Sequence, residues 1–343
     1  MPLRSVNGRV TFTVDPTMYG ELYAPPLEVY GNLDRVVRPD LHYHYSSPVC
    51  AQRWLNVCDD PAYGHQRLLQ QVEAVFPEML STLRRRRPTS ALVHLVSLGP
   101  GDGTLDLQML RSLEEEFSIS SYCALDFSFD LLRRAVNRIA GGDGFRDAFP
   151  INAICGDFTD VSPTRICPSE DGANRIFALT GFTLGNYNED GLIRGISELM
   201  GPGDHLFVDA RLHRFGPLPK GAPMPELASD AWSGSYDIPS VRGFVFGPVE
   251  MATEARAEDA DIAFELSRVL TTVPGAVNVS IHCRNLDTRM RLTGEPISRP
   301  RLDLAVTTAY DFPGLQTWFA GTGLSLEWSG TTGDVGFFLL RKP

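Results

Sequence analysis

The chain has 343 residues, of which 43% are hydrophobic and 21% charged. This is the composition of a globular protein with room for one large domain or two. A formal net charge of −11 at pH 7 argues against nucleic acid as a substrate, because phosphate binding depends on Lys and Arg. None of the six cysteines forms a metal-type pair two residues apart, which favours reduced thiols. No signal-peptide core or membrane-spanning run is visible, so we expect a cytoplasmic protein that contacts neither membrane nor nucleic acid.

The N-terminal segment up to about residue 65 is not expected to join a central sheet. Residues 9–14 alternate polar and apolar side chains, which predicts a short exposed strand. Apolar residues then follow a helical period over residues 66–83, where Pro77 is expected to kink or split the helix. The basic run 84–87 is interpreted as a solvated cluster at the helix C-terminus, where the helix dipole favours positive charge.

The most informative stretch is the apolar run 92–98 and the glycine-rich turn after it, which contains Gly99, Gly101 and Asp102. A helical pattern follows, so this stretch predicts a buried parallel strand, a tight loop and a helix start. The dinucleotide fingerprint requires a third glycine where Thr104 stands, and a pyrophosphate would meet the Asp102 carboxylate. A ligand carrying an ammonium and a sulfonium suits that charge better. S-adenosylmethionine (SAM) is therefore the predicted cofactor, with Gly99, Gly101 and Asp102 in its site.

Three later apolar runs end in residues that suit the same ligand. The first ends in Asp126 and Phe127, about 25 residues after the loop, where an acid accepts from ribose hydroxyls. The second ends in Asp157 and Phe158, an acid for the adenine amino group and a ring for its face. The third ends in Thr180. Such strand tips predict a doubly wound sheet, although Asp126 as a helix N-cap and Asp157 as a turn residue are alternatives.

A further apolar run at 205–209 precedes a Pro- and Gly-rich exit from the sheet at 216–223. From there to about residue 305 we predict an inserted substrate lid. Its expected elements are a helix around 251–263 and strands at 268–273 and 276–281.

The C-terminal residues are predicted to form a helix near 313–322 and a closing hairpin of 324–328 and 335–340. This hairpin suits the antiparallel edge of a methyltransferase sheet. The predicted fold class is α/β: a class I, Rossmann-like doubly wound sheet with an antiparallel C-terminal edge hairpin, plus a second, substrate-binding domain. The predicted organisation is 1–65 as the N-terminal part of the substrate domain, 66–212 as the SAM-binding domain, 213–305 as the inserted substrate or lid domain, and 306–343 as the return to the SAM-binding domain.

Four blocks in this order, at 98–101, 126–128, 156–158 and 181–186, resemble those of a specific family. They are similar to the histidine-specific Nα-methyltransferases of ergothioneine biosynthesis and their fungal dimethylallyltryptophan N-methylating relatives. The likeness is sharp from about residue 95 to 190, and the block 181–186 is its most specific element.

The resemblance implies roles for five residues. Asn186 helps to hold the substrate amino group, Gly181 adds a backbone contact, and Phe182 of the same block lines the substrate site. Tyr45 binds the substrate, and Tyr63 closes over SAM. Asn186 and Tyr45 are accordingly the predicted catalytic residues, which orient the nucleophilic nitrogen by hydrogen bonds. For Tyr45, a simple packing role is the alternative.

The chain departs from the family pattern at three positions. Leu105 stands where the family has a lysine, and Thr307 and Ala309 stand where a glutamate and a serine recognise the imidazole. Imidazole nitrogens left unpaired cost about 1–3 kcal/mol per group. The resemblance therefore implies SAM-dependent N-methylation of an amino acid or amino-acid-derived small molecule in specialised metabolism, with Thr307 in the substrate site and histidine not the substrate.

Other functions stay open at this stage. Arginine guanidino N-methylation would need carboxylate partners for the cation. Small-molecule O-methylation would need a base at the fourth strand tip, which is the segment 180–186 after the fourth of the apolar runs that begin with 92–98. A SAM-binding protein without turnover and a nicotinamide enzyme are more distant alternatives. A homodimer is compatible with the sequence.

Overall fold

The computed structural model describes residues 3–4, 10–14, 41–86, 92–141, 145, 148–158, 166, 174–213, 215, 236–267 and 271–343. The chain divides into two compact units. The first unit comprises Met1–Tyr19, Arg67–Leu212 and Phe312–Pro343, and the second comprises Gly20–Gln66 and His213–Asp311.

Twelve strands are found in the described residues. They are β1 (Leu3–Arg4), β2 (Val10–Val14), β3 (Leu92–Leu98), β4 (Ser118–Asp126), β5 (Ile151–Cys155), β6 (Asn174–Leu179), β7 (His205–Arg211), β8 (Asp261–Ser267), β9 (Val277–Arg289), β10 (Pro296–Ala309), β11 (Ser325–Thr332) and β12 (Val335–Arg341). The first unit holds a nine-stranded sheet of order β1-β2-β5-β4-β3-β6-β7-β12-β11. Strands β2 to β7 of this sheet pair in parallel, whereas β12 pairs antiparallel with β7 and β11. The predicted doubly wound sheet with an antiparallel C-terminal hairpin is therefore confirmed.

Seven α-helices are described: α1 (Pro48–Asp59), α2 (His65–Arg86), α3 (Thr104–Glu114), α4 (Phe129–Gly141), α5 (Glu189–Leu199), α6 (Pro239–Ala252) and α7 (Phe312–Ala320). Helix α2 continues through Pro77 and is not split. An interior proline costs about 3 kcal/mol. The apolar face of α2 offsets this cost, because Leu68, Val72, Met79 and Leu83 are all buried and each contributes about 1.5–3 kcal/mol.

The central strands carry the core of the first unit. Residues 93–98 of β3 are all buried, as are residues 121–126 of β4. Strands covered on both faces read as continuous apolar runs rather than alternating ones. The same runs bring their carboxyl ends to one edge of the sheet, which is where α/β proteins bind ligands.

The expectation that residues before about 65 lie outside the sheet is wrong for β2. Val10–Val14 runs parallel to β5, with Thr11 opposite Asn152, and every residue of the strand is partly buried. An alternating pattern predicts a strand but does not say which sheet it joins. Because the β2 partner lies about 140 residues away in the chain, only the folded structure supplies that information. Residues 306–311 belong to the second unit, whereas the organisation predicted from the sequence assigns them to the C-terminal return to the SAM-binding domain.

The second unit contains a three-stranded antiparallel sheet of order β10-β9-β8. One face carries Val277, Val279 and Ile281, which share a buried core with residues of α6 such as Phe244 and Val245. The strand expected at 276–281 is confirmed as part of β9, while the exit at 216–223 lies outside the described residues.

Two expectations in the second unit are wrong. The helix expected around 251–263 ends at Ala252, and β8 begins at Asp261. From Ile262 onwards apolar side chains recur every second residue, so pairing with β9 buries Ile262 and partly buries Phe264 and Leu266. For the strand expected at 268–273, β8 ends at Ser267 instead, residues 268–270 lie outside the described residues, and residues 271–273 form no strand.

The five cysteines that the structure describes are buried, and they form no disulfide bond with one another. Among the described helices, none combines the length and apolar character needed to cross a membrane.

Candidate functional site

The loop between β3 and α3 is built on three glycines in the left-handed region. Gly99, Gly101 and Gly103 have φ values of +74°, +57° and +79°. The Gly99 N–H donates to the Leu125 carbonyl at 2.8 Å, which ties the loop to the neighbouring strand β4. A Cβ on Gly103 would lie 2.7 Å from the Cα of Ala135, so the loop also approaches α4 closely. Glycine is therefore required for both conformation and space.

Asp102 is engaged within the protein. Its carboxylate accepts from the Thr104 N–H at 2.9 Å and the Thr104 hydroxyl at 2.8 Å, so it stabilises the start of α3. The Arg138 guanidinium donates to the same carboxylate at 2.7 Å. This ion pair compensates the negative charge of Asp102, which the sequence analysis had assigned to a sulfonium ligand. A direct contact between Asp102 and the cofactor stays a prediction.

Asp126 links the tip of β4 to the glycine loop. One carboxylate oxygen accepts from the Ser128 N–H at 2.8 Å and the other from the Gly101 N–H at 3.4 Å. The side chain is buried. Ser128, rather than Asp126, caps α4, because its hydroxyl accepts from the Leu131 N–H at 3.4 Å. The N-cap alternative for Asp126 is therefore wrong, and its carboxylate faces the loop as a ligand acceptor at this edge would.

Burial raises the pKa of Asp126 to about 7, against the opposing effect of the N–H groups of Ser128 and Gly101. An ionised carboxylate accepts more strongly from ribose hydroxyls than a carboxylic acid does. Ligand binding through Asp126 then favours its ionised form and releases a proton. Affinity rises with pH up to about 7 and levels off above it.

We accordingly expect the dissociation constant for SAM to fall, by up to about tenfold per pH unit, as the pH approaches 7 from below. Titration calorimetry at a series of pH values measures it. The Asp126→Asn variant is the control, because its side chain does not titrate and its profile should lose this component. Parallel profiles for the two proteins would contradict the assignment of the proton to Asp126.

Phe158 follows the end of β5 and lies beside the glycine-rich loop and the turn that follows β6. It is buried, its ring centroid is 5.3 Å from that of Tyr187, and a Cβ on Gly99 would lie 3.8 Å from it. Asp157 precedes it and is partly buried. The acid and the ring that the sequence predicted for adenine thus follow the end of β5 at the correct edge of the sheet.

Two further predicted cofactor residues occupy buried positions around the loop. Phe127 follows Asp126, and its carbonyl accepts from the Cys155 thiol at 3.5 Å. Thr180 follows β6, and its carbonyl accepts from the Thr183 hydroxyl at 2.7 Å. The same hydroxyl would lie 3.9 Å from a Cβ on Gly99, so the fourth tip also reaches the loop.

The fourth tip turns sharply after β6. Gly181 and Phe182 have φ values of +76° and +64°, and a 3₁₀ helix, Thr183–Asn186, follows. Both N–H groups donate to the carboxylate of Asp209 on β7, at 2.8 Å from Gly181 and 2.7 Å from Phe182. Since the Gly181 N–H is used in this way, a backbone contact from Gly181 to the substrate would have to use its carbonyl. Asp209 was not singled out from the sequence.

Asn186 ends the 3₁₀ helix and is partly buried. Its side chain forms no hydrogen bond within the part of the chain that the structure describes. By contrast, the side chain of nearby Asn188 caps α5 by accepting from the Gly191 N–H at 2.9 Å. The Asn186 amide is therefore available to a ligand, whereas Asn188 serves the helix.

Tyr45 and Tyr63 lie in an aromatic cluster of the second unit. The Tyr45 ring centroid is 5.7 Å from that of Trp54 and 5.2 Å from that of Phe244. The Tyr63 ring is buried and meets Trp54 at 5.8 Å and Tyr236 at 6.4 Å, both edge-on. These contacts suit packing, and the substrate and cofactor roles of the two tyrosines stay predictions.

Thr307 lies on β10, directly opposite Val279 of β9. It is partly buried, and its hydroxyl has no hydrogen-bond partner within the described residues. Side chains two residues apart in a strand share a face, so Ala305 and Ala309 flank it. As the sequence predicted, this strand immediately precedes the last helix, α7.

The residues of the first unit fit SAM. The loop, Asp126, Phe158 and the 181–186 turn come together at the carboxyl edge of β3 to β6. A Cβ on Gly181 would meet no atom of the described residues within 4 Å, so these residues leave open space beside the turn. Asp126 offers a buried acceptor and Phe158 an aromatic face.

Residues 53–213, just under half of the chain, match the family model described as histidine-specific methyltransferase, SAM-dependent. The chain is a SAM-dependent methyltransferase, and SAM is its cofactor. Within that class its segment 53–213 matches the histidine-specific family, as the sequence motifs had indicated.

No curated protein matches the sequence. Among solved structures, a SAM-dependent methyltransferase from Clostridium acetobutylicum is similar at 11% identity and a TM-score of 0.41, over 85% of this chain and 99% of that chain. DesVI from Streptomyces venezuelae has 16% identity and a TM-score of 0.36, over 82% and 98%. The glycopeptide N-methyltransferase MtfA, complexed with SAM, has 13% identity and a TM-score of 0.35, over 78% and 93%.

Proposed function

We propose that this methyltransferase transfers a methyl group to the amino nitrogen of an amino acid or an amino-acid-derived small molecule other than histidine. The observation that carries the proposal is Asn186, whose side-chain amide closes the fourth strand tip without a protein partner in the described residues. The cytoplasmic location and the homodimer stay predictions.

Methyl transfer from SAM to an amine requires little covalent participation by the protein. When bound, SAM supplies an electrophilic methyl group on a sulfonium. The protein has to present a neutral amine with its lone pair directed correctly, in a site that excludes water. The carboxamide oxygen of Asn186 accepts an N–H of the amine and thereby fixes the direction of the lone pair. No strong base is needed once the amine is neutral.

The apolar surroundings of Thr307 support a substrate with a neutral side chain. On the same face of the sheet lie Val277, Val279, Ala305 and Ala309, all buried. An imidazole placed there would find one hydroxyl for its two nitrogens. A guanidinium would find no carboxylate among these neighbours, which disfavours arginine.

The acid nearest the fourth tip also disfavours O-methylation. A phenol or a similar hydroxyl acceptor calls for a base that removes its proton. Asp209 is fully buried, and both of its oxygens already accept backbone N–H groups. Asn186 is not a base, so the tip suits an amine better than an acidic hydroxyl.

The experiment that tests the function is incubation with SAM and a panel of free amino acids, read by mass for gains of about 14 daltons, the mass of one methylene group. An N-methylated amino acid, located by fragmentation, supports the proposal. Methylation on oxygen, or on a guanidino nitrogen, would replace it with one of the alternatives. SAM binding by titration calorimetry without any product would favour a binding protein without turnover.

We expect histidine to be a poor acceptor, with at least about tenfold lower turnover than the best amino acid in the panel. Unpaired imidazole nitrogens at Thr307 and Ala309 are the reason. The double substitution Thr307→Glu and Ala309→Ser should raise activity on histidine relative to the parent. Efficient methylation of histidine by the parent protein, near or above that of every other amino acid, would refute the prediction.

A further inference from the structure

Asp209 forms hydrogen bonds to a turn that is 27 and 28 residues away from it in sequence. It lies on β7, it is fully buried, and its two oxygens accept from consecutive N–H groups at 2.7 and 2.8 Å. Those N–H groups belong to Phe182 and Gly181, the two residues that redirect the chain after β6. A single carboxylate therefore holds both halves of the turn.

The turn contains a residue whose backbone conformation has to be stabilised by its surroundings. Phe182 is one of two non-glycine residues with positive φ among the described residues, at +64°. A side chain in the left-handed region costs about 1–2 kcal/mol. A conformation of this kind persists only where the surroundings determine it, and such positions cluster at functional sites.

A second contact fixes the Phe182 side chain. The Arg211 guanidinium carbon lies 4.4 Å from the centroid of the Phe182 ring, within the range of a cation–π interaction. Arg211 is on the same strand as Asp209, two residues further on, and it is also buried. Two side chains of β7 thus hold one residue of the turn, by its backbone and by its ring.

We propose that Asp209 is a positioning residue for methyl transfer, because its two hydrogen bonds hold the left-handed turn at Gly181 and Phe182 that presents Asn186. The inference rests on the proposed function, in which the Asn186 amide orients the substrate amine. Asn186 follows Phe182 by four residues through one short 3₁₀ helix, so a change in direction at the turn moves its side chain. Loss of the clamp should slow the chemical step while the contacts of Asp126 to the glycine loop remain.

Asp204 provides a matched control. It is also buried, and its two oxygens likewise accept backbone N–H groups, from Arg175 at 3.0 Å and Gly201 at 2.7 Å. It precedes the first residue of β7, whereas Asp209 lies near the carboxyl end of that strand. The two aspartates therefore share burial and a pair of backbone N–H donors. Asp204 also forms an ion pair with the Arg175 guanidinium at 2.7 Å, and of the two only Asp209 bonds the turn that leads to Asn186.

The test compares Asp209→Asn with Asp204→Asn in the full-length protein. The asparagine side chain has one acceptor oxygen, whereas the N–H groups of Gly181 and Phe182 each bond a separate oxygen of Asp209. For Asp209→Asn we expect the single-turnover rate of methyl transfer to fall about ten- to thirtyfold, with SAM affinity changed less than about threefold. For Asp204→Asn we expect a lower unfolding midpoint and a transfer rate within about threefold of the parent. Equal losses of rate in both variants would reduce Asp209 to a structural residue.

Hydrogen exchange supplies a readout that needs no substrate. In Asp209→Asn, amide exchange should accelerate over the turn and 3₁₀ helix at residues 181–186. It should stay near the parent rate in the strands of the sheet. This result separates the two proposals, because it holds even if the acceptor atom proves to be oxygen. Unchanged exchange over 181–186 overturns the clamp, whatever the substrate is.

A second variant covers the case in which Asp209→Asn does not fold. A Cβ on Gly181 would meet nothing within 4 Å in the part of the chain that the structure describes, so Gly181→Ala adds no clash there but opposes the φ of +76°. We expect it to slow methyl transfer several-fold, up to about tenfold, with SAM affinity preserved. A parent-like transfer rate in Gly181→Ala would show that the left-handed turn is not needed for the reaction, and the proposal would be wrong.

Discussion

Replacing Asp126 by alanine is expected to weaken SAM binding about ten- to a hundredfold. The physical reason is the loss of a charged acceptor for the ribose hydroxyls, an interaction worth about 1.5–3 kcal/mol. The Asp126 carboxylate is buried and already accepts from the Gly101 N–H of the loop, so it stands at the glycine turn itself. Titration calorimetry on the folded variant measures the effect.

Two variants separate loss of the ligand contact from loosening of the loop. Asp126→Asn keeps one acceptor oxygen and should bind SAM with intermediate affinity. Asp102→Ala removes the hydrogen bonds to Thr104 and the ion pair to Arg138, which support the loop from within the protein. It should therefore weaken SAM binding less than Asp126→Ala does. An Asp126→Ala variant that is folded and binds SAM with parent affinity would remove Asp126 from the site.

The parallel core of the first unit could be predicted because its strands are buried on both faces. Such strands leave a short apolar run in the sequence, and the residue after each run falls at the binding edge. This is why the sequence alone predicts positions at the tips of β4, β5 and β6 for Asp126, Phe158 and Thr180. The left-handed glycines of the loop are visible for the same reason, since few other residues adopt that conformation.

Features set by contacts distant in sequence could not be predicted in this way. The alternation at Val10–Val14 indicates a strand, but nothing local says that its partner is β5. The charge of Asp102 is compensated by Arg138, which lies on α4, 36 residues further along the chain. Asp209 reads locally as one more acid at a strand end, and only the fold brings the N–H groups of Gly181 and Phe182 to it.

The composition of a segment can also indicate a different secondary structure from the one that the segment adopts. The segment 251–263 is rich in Ala, Glu and Asp, of which Ala and Glu favour helices, yet the helix ends at Ala252. From Ile262 the apolar side chains have period two, and pairing with β9 buries them. Tertiary packing decides such cases because a helix there would expose the side chains that the sheet covers.

Asn186→Ala is expected to reduce the rate of methyl transfer by about a hundredfold and to leave SAM affinity nearly unchanged. The variant loses an orienting hydrogen bond to the substrate amine, and a misplacement of about 1 Å costs on the order of a hundredfold in rate. The hydrogen bonds of Asp126 to Gly101 and Ser128 do not involve Asn186, so the cofactor site retains its shape. Single-turnover methylation and SAM titration on the same preparation measure the two quantities separately.

The neighbouring Asn188 supplies the matched control, because Asn188→Ala removes the same side chain two residues away. That change deletes the cap of α5, where the Asn188 oxygen accepts from the Gly191 N–H, and should cost about 0.5–2 kcal/mol of stability without slowing transfer. A loss of rate confined to Asn186→Ala assigns the effect to orientation of the substrate. If SAM affinity falls together with the rate, Asn186 belongs to the cofactor site, and if neither changes, the amine binds elsewhere. A loss of rate in both variants would instead point to the stability of the 183–199 segment, since both asparagines lie where the 3₁₀ helix passes into α5.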